Sequence, residues 1–329
     1  MSNKVWSILF GVVMVACAIS YGISPFVGWG MPEGVSAHAP HVDQLYYVIL
    51  YITAFFFFLT EGILVAFLWK YSGTTDHKHP VSVSKEYPGF LKPITNLLHD
   101  QNRVELAWTF VPAVILLYIA FAQVNTWADI KYQSRNRGQA GEAPTQQVGV
   151  SARQFEWRMR YPGVERFKKW MADKNPSDAD YASFGKVPQL SDIYVVNELH
   201  VWKPTTEELK VKKGSGVVVH LTTRDVIHSF NLPNFRVKQD ALPGKMIPVW
   251  FTATKANCKL NADKTRWLDG VDPDTGDKNQ DLIYDIPCAE LCGWGHYRMI
   301  GRCYVHKDQS DFLAWLESAE KANRQRTRD

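Results

Sequence analysis

The chain has 329 residues, enough for one or two compact domains, and its 37 Lys and Arg against 33 Asp and Glu leave a formal net charge of +4. Basic and acidic side chains are interspersed, so nothing points to nucleic acid. The five cysteines are too few and too clustered for a disulfide scaffold. Hydrophobic residues make up 46% of the chain but are unevenly spread. Long apolar runs fill the first 130 residues and the remainder is mixed, which predicts a membrane part followed by a water-soluble part.

Three stretches, residues 5–27, 45–69 and 106–128, reach the length a spanning helix needs, roughly 20 residues. Trp69, Trp108 and Trp127 sit near their ends, where aromatic rings favour the interface. Pro112 is expected in the first turns of the third helix, where a missing N–H costs little. The first stretch reads either as a signal peptide, with MVAC at residues 14–17 offering Cys17 for acylation, or as a retained helix. Retention is the expectation. Between the second and third stretches lie Lys70, Lys78, Lys85, Lys92 and Arg103, and a short lysine-rich loop faces the cytoplasm. The flanking helices then form a hairpin, and everything after about residue 129 is outside, in a periplasm-like space. A charge at Glu61 inside the second stretch would cost about 2.5–3.5 kcal/mol, so this residue is expected to be neutral or to face a protein neighbour.

The outer part reads as mostly β. QQVGVSARQFEWRMRY, IYVVNELHVW, SGVVVHLTT, KMIPVWFTATK and GRCYVH are short β-branched or aromatic runs bounded by turn residues, which predicts a sandwich or barrel. The last residues, DQSDFLAWLESAEKANRQR, form an amphipathic helix with Asp308 or Ser310 as cap and Phe312, Leu313 and Leu316 on its apolar side. The organisation predicted is an N-terminal hydrophobic segment and linker (1–42), a transmembrane helical hairpin (43–130) and an outer β domain (131–329). Polar insertions fall near 171–192 and 256–282.

Residues 288–299 read CAELCGWGHYRM. Thiolate donors select copper, zinc or iron–sulfur centres. Cys288, Cys292 and His296 could serve zinc, but a fourth good donor is absent nearby. An iron–sulfur cluster usually wants four cysteines. A mononuclear blue-copper site wants one Cys, two His and a weak Met; here there is one cysteine too many and, locally, one histidine too few. TTRDVIHSFNLPNF can supply the histidine: His228 is expected at a strand end beside the cysteine loop. His228 and His296 would then hold opposite ends of a two-copper unit bridged by both thiolates, with Met299 and the Glu290 carbonyl in the weaker positions. Such a unit spreads an added electron over several atoms and offers no open position to substrate. It carries electrons and does no bond chemistry.

CAELCGWGHYRM, with DVIHSFNLPNFRVKQDALPGKMIPVWFTATK, resembles subunit II of cytochrome c oxidase, the haem–copper terminal oxidase, over nearly the whole chain from residue 43 onward. The resemblance implies a cupredoxin-like β-barrel on a two-helix anchor. It implies binuclear copper (CuA) held by His228, Cys288, Glu290 through its carbonyl, Cys292, His296 and Met299. It also implies a magnesium ion at the boundary with subunit I, bound by the Glu290 side chain. Glu105 in VELAWTF matches an acidic residue near a proton path into subunit I; the plainer reading is a solvated carboxylate favoured by the helix dipole. The implied role is the electron-accepting subunit of a respiratory oxidase in a bacterial inner membrane, its copper domain periplasmic. Cytochrome c or another one-electron donor would reduce the copper, and haem in subunit I would take the electron onward to oxygen. Subunits I and III are the implied partners, with the lipid membrane.

Two departures stand out. RQFEW, residues 153–157, replaces a run of aromatics in the family, so Phe155 matches the tryptophan that receives electrons and Trp157 follows two residues on. An added stretch, roughly 256–282, separates His228 from Cys288. Within it DPDTGDKNQD faintly resembles a calcium loop without the closing glutamate; a solvated acidic turn is the plainer reading, and a docking patch for a basic donor near the copper a third. Cys258 and Cys303 form either a disulfide or two buried thiols. His38, His41, His77, His79, His200, His220 and His306 read as ordinary. The copper module of a nitrous oxide reductase is a rival reading that the apolar hairpin opposes. A membrane-anchored copper-delivery protein is another, which would release copper readily to chelators. A quinol oxidase subunit II would lack the copper ligands.

Overall fold

The computed structural model describes residues 3–70, 101–131, 146–172, 184–186, 188–205 and 216–326. Most of the lysine-rich loop, with His77 and His79, lies outside the described residues. The chain divides into two units, Met1–Met31 with Gln44–Val124, and Pro32–Asp43 with Asn125–Asp329.

Three long helices, α1 (Asn3–Ile23), α2 (Ala39–Lys70) and α3 (Gln101–Lys131), carry the apolar stretches. All three are long and apolar enough to cross a membrane, with mean hydropathy of 2.0, 2.2 and 2.0 over their candidate spans. Most of the large apolar side chains on them are exposed, among them Phe55, Phe57, Leu116 and Phe121, as lipid-facing residues should be. Continuous helix satisfies the backbone within each segment, which lipid demands. α1 lies against α2 through the Ser7 hydroxyl, which donates to the Val65 carbonyl at 3.0 Å, and through the edge contact of Tyr21 with Phe58. Pro112 sits deeper than expected. α3 begins at Gln101, so the proline lies inside the helix and withholds an N–H from the Trp108 carbonyl.

The second unit is a β domain. Strands β1 (Gln146–Arg153), β2 (Glu156–Tyr161), β3 (Ile193–Val196), β5 (Val217–Thr223) and β8 (Ile247–Phe251) form one sheet in the order β3-β2-β1-β5-β8. A second sheet runs β11 (Tyr284–Pro287), β12 (Ile300–His306), β4 (Glu198–Trp202). Hairpins β6–β7 (His228–Leu232, Val237–Ala241) and β9–β10 (Cys258–Leu260, Trp267–Asp269) complete it. Side chains alternate across each strand. Val148, Val150 and Ala152 of β1, Trp157, Met159 and Tyr161 of β2, and Val217, Val219 and Leu221 of β5 all point inward. There they meet Leu199, Val201, Cys303 and Val305 of the second sheet in one core. The first segment's linker is woven into this domain: Ser36 bridges Ala253, and Arg236 pairs with Asp43.

Helix α4 (Val164–Ala172) lies just ahead of the first polar insertion and buries Phe167 against Trp202. The terminal helix α5 (Gln309–Arg326) is capped by Asp308, whose carboxylate accepts from the Asp311 N–H at 3.0 Å. Its buried side is Phe312, Trp315 and Leu316, with Leu313 only partly covered.

Candidate metal centre

His228 opens β6 rather than closing the preceding strand. Two contacts bring the cysteine loop to it: Phe230 bridges Cys288, and the Ala289 N–H donates to the Ser229 carbonyl at 3.0 Å. The loop closes on itself where the Cys288 N–H donates to the Met299 carbonyl at 3.0 Å. A short helical turn at His296–Arg298 then brings His296 back over Cys292.

The donors converge. Cys288 Sγ lies 3.9 Å from His228 Nδ1, 3.9 Å from Cys292 Sγ and 3.3 Å from the Glu290 carbonyl. Cys292 Sγ lies 3.5 Å from His296 Nδ1 and 3.9 Å from Met299 Sδ. The sulfurs are far beyond the ~2.05 Å of a disulfide, yet one ion about 2.3 Å from each can touch both. Two thiols, two imidazoles, a thioether and a carbonyl exceed what a single tetrahedral ion can use. The donor set fits soft metal, and a pair of ions better than one. Among the described residues, His228, Cys288 and Cys292 are the one group of three or more His, Cys, Asp or Glu side chains close enough to share a metal.

Burial raises the Cys288 thiol, but hydrogen bonding with the His228 side chain and with the backbone at Glu290 and Ser229 outweighs it and brings the pKa down to about 6. Cys292 is pushed up to about 12 by burial and by the neighbouring Cys288 charge. The pair therefore holds one thiolate readily and resists the second until a metal replaces its proton.

Residues that sequence reasoning passed over hold this set in place. His228 Nε2 donates to Asp225 Oδ1 at 2.8 Å, which leaves Nδ1 as the lone-pair nitrogen facing Cys288. Asp225 also accepts from the Gln154 N–H at 2.7 Å, and Gln154 Nε2 donates to the Cys292 carbonyl at 2.5 Å. The only sequence signal was the spacing of three between Asp225 and His228.

Phe155 packs against the loop. A Cβ at Gly295 would collide with its ring, and one at Gly293, whose φ is +129°, would meet it at 3.2 Å. Trp294 stands between those glycines, 76% exposed, edge-on to Phe155 at 5.3 Å and under the Arg298 guanidinium at 4.6 Å. Trp157 is fully buried, 6.2 Å from the His228 ring, with its indole N–H donating to the Ile286 carbonyl. Glu105 is exposed near the start of α3, and the Glu290 side chain is exposed as well.

The acidic turn is not beside the cysteine loop. Asp274 pairs at 2.7 Å with Lys307, which follows the end of β12, whereas the loop joins that strand at Ile300, about 20 Å away by strand rise. The Asp272 carboxylate is also engaged locally, accepting from the Asp274 and Thr275 N–H groups. Cys258 and Cys303 are free, buried thiols, both raised by burial.

A cupredoxin-like domain carrying a thiolate–imidazole centre, behind helices suited to a bilayer, defines a membrane-anchored protein with a soft-metal site. The sequence model for the cytochrome c oxidase subunit II transmembrane domain matches residues 24–125, and that for the subunit II periplasmic domain matches 151–260. Cytochrome c oxidase subunit 2 of Thermostichus vulcanus is 26% identical over 332 residues, spanning 95% of this chain and 84% of that one. The subunit 2 of Cereibacter sphaeroides is 28% identical over 296 residues, 89% of this chain and 80% of that one. A solved periplasmic domain of subunit II from Bradyrhizobium japonicum shares 21% identity, covering 57% of this chain and 99% of that one at a TM-score of 0.34. The assignment rests on the sequence matches. The chain belongs to the cytochrome c oxidase subunit II family, part of the haem–copper oxidase complex, with transmembrane helices and a copper domain outside the membrane. The periplasmic match ends at residue 260, inside the added stretch and ahead of the cysteine loop, so the loop is read from this chain's own geometry.

Proposed function

We propose that this chain takes electrons from cytochrome c, or another one-electron donor, at a copper pair held by His228, Cys288, the Glu290 carbonyl, Cys292, His296 and Met299. It passes them to haem in subunit I of an oxidase in a bacterial inner membrane, with subunit III as a further partner. The observation that carries this reading is the pair of sulfurs 3.9 Å apart, with one imidazole nitrogen beside each. Bound there, copper supplies a one-electron carrier.

The residues do the rest. Cys288 and Cys292 share charge across two sulfurs, so an added electron disturbs few bond lengths. Asp225 fixes the His228 tautomer, and the closed loop holds its donors on a rigid strand pair. The surface around the loop exposes Leu291, Trp294 and Tyr297, an apolar patch suited to a docked donor. Electrons enter there through Trp294 and Phe155, with Trp157 acting from the interior. The exposed Glu290 carboxylate binds magnesium against subunit I, and Glu105 stands at a proton entrance.

The test is single-turnover mixing of reduced cytochrome c with the purified oxidase. The native chain should oxidise the donor in a fast phase that Cys288→Ser abolishes. A fast phase of equal size in that variant contradicts the reading.

A further inference from the structure

We propose that the outer face of the five-stranded sheet holds a phosphate-bearing anion in a cleft around Arg158, Arg160, Lys186 and Arg224. Strand alternation turns Arg158 and Arg160 of β2 away from the core that carries the copper donors, and Lys186 and Arg224 join them from adjoining loops. Two cross-strand rungs make the floor. On one, Gly149 lies between Arg160 and His220; on the next, Ser151 lies between Arg158 and Thr222. The cleft encloses about 290 Å³, at the small end of ligand sites.

Its shape depends on missing side chains. A Cβ on Gly149 would press on the Arg160 side chain at 3.1 Å, and one on Gly185 would collide with the His220 ring. The two glycines let a guanidinium and an imidazole lie along the floor. His220 is held there by Gln147 at 2.6 Å.

Its charge is one-sided. No Asp or Glu is among the described lining residues. Two carboxylates orient the arginines from outside the cleft, and each serves two guanidiniums: Asp192 pairs with Arg160 and Arg166, Glu156 with Arg153 and Arg158. Lys186 and Arg224 line the cleft as exposed cations. The Ser151 hydroxyl is buried there without a hydrogen-bond partner, and an unmet buried polar group favours a ligand that meets it. Arg160 already donates to Asp192 and to the Phe184 and Gly185 carbonyls, so it adds positive charge to the floor. The guanidiniums of Arg158 and Arg224 bring forked donors that match the oxygens of a phosphate group, and several positive charges match an anion carrying more than one negative charge.

The experiment is equilibrium dialysis of pyrophosphate against the copper-loaded, detergent-solubilised full chain. One saturable site per chain is expected. The double variant Lys186→Glu with Arg224→Glu should weaken it at least about tenfold. Both side chains are exposed, and an unchanged copper spectrum verifies the fold. Lys238→Glu, on β7 and outside the cleft, should leave binding unchanged. Absence of saturable binding at millimolar pyrophosphate overturns the proposal. So does equal weakening by the double variant and Lys238→Glu, or tighter binding of citrate than of pyrophosphate.

Discussion

His228 donates through Nε2 to Asp225 at 2.8 Å while its Nδ1 faces Cys288 Sγ at 3.9 Å. The carboxylate decides which nitrogen keeps a lone pair, and so whether this imidazole can ligate. Losing an outer partner of this kind typically costs about 10–100-fold in metal affinity. Asp225→Ala should therefore weaken copper retention by that factor in a chelator competition. Asp225→Asn, whose carbonyl can still accept from Nε2, should retain most of it. Equal affinity in Asp225→Ala and the native protein would remove Asp225 from this role.

Trp294 is the exposed aromatic that closes over Phe155 and the cysteine loop. An aromatic anchor at an interface centre is worth about 2 kcal/mol or more, roughly thirtyfold in affinity. Trp294→Ala should raise KM for reduced cytochrome c by about that factor and leave the copper spectrum intact. A substitution that alters the spectrum but not KM would point to loop support instead.

His200 and His306 share a 3.0 Å hydrogen bond in the core, His200 lying between Tyr304 and Trp315. Burial holds both well below 6.5, the carboxylate of Glu198 approaching His200 only to 3.6 Å. Their unfolded forms take up protons near pH 6.5 while the folded forms stay neutral. Their contribution to stability is therefore complete above that pH and is lost as pH falls below it, by up to about 1.4 kcal/mol per pH unit for each histidine. Denaturant melts of the full chain at about pH 7.5 and about pH 5.5 should show the loss, and His306→Leu should make it shallower. A stability that rises on acidification would contradict the assignment.

The acidic turn offers a negative control for donor docking. With Asp274 engaged by Lys307 at the far end of β12, the combined substitutions Asp272→Asn, Asp274→Asn and Asp277→Asn should leave donor oxidation within about twofold at low salt. A large, salt-dependent slowing would restore this turn as a docking site.

What sequence showed and what it hid follow from range. The three helices are written in composition, since each needs only an unbroken apolar run. The inward strands show as alternation, and five of the six proposed copper donors lie within twelve residues. Contacts made by topology leave no such trace. Gln154 reaches Cys292 across 138 residues, and His200 meets His306 across 106 because β4 and β12 run parallel as neighbours. Hairpin β9–β10 has strands of only three residues, too short for a period to declare itself. The basic cleft was hidden in the same way, its cations coming from strand β2, from a turn at Lys186 and from Arg224 just past β5.

The central claim is that Cys288 and Cys292 together hold two coppers between His228 and His296. Electron paramagnetic resonance of the oxidised, fully copper-loaded protein tests it most directly. Hyperfine structure from one unpaired electron shared equally by two copper nuclei is expected, lost in both Cys288→Ser and Cys292→Ser. A spectrum with the electron on a single copper nucleus in the native protein would contradict it.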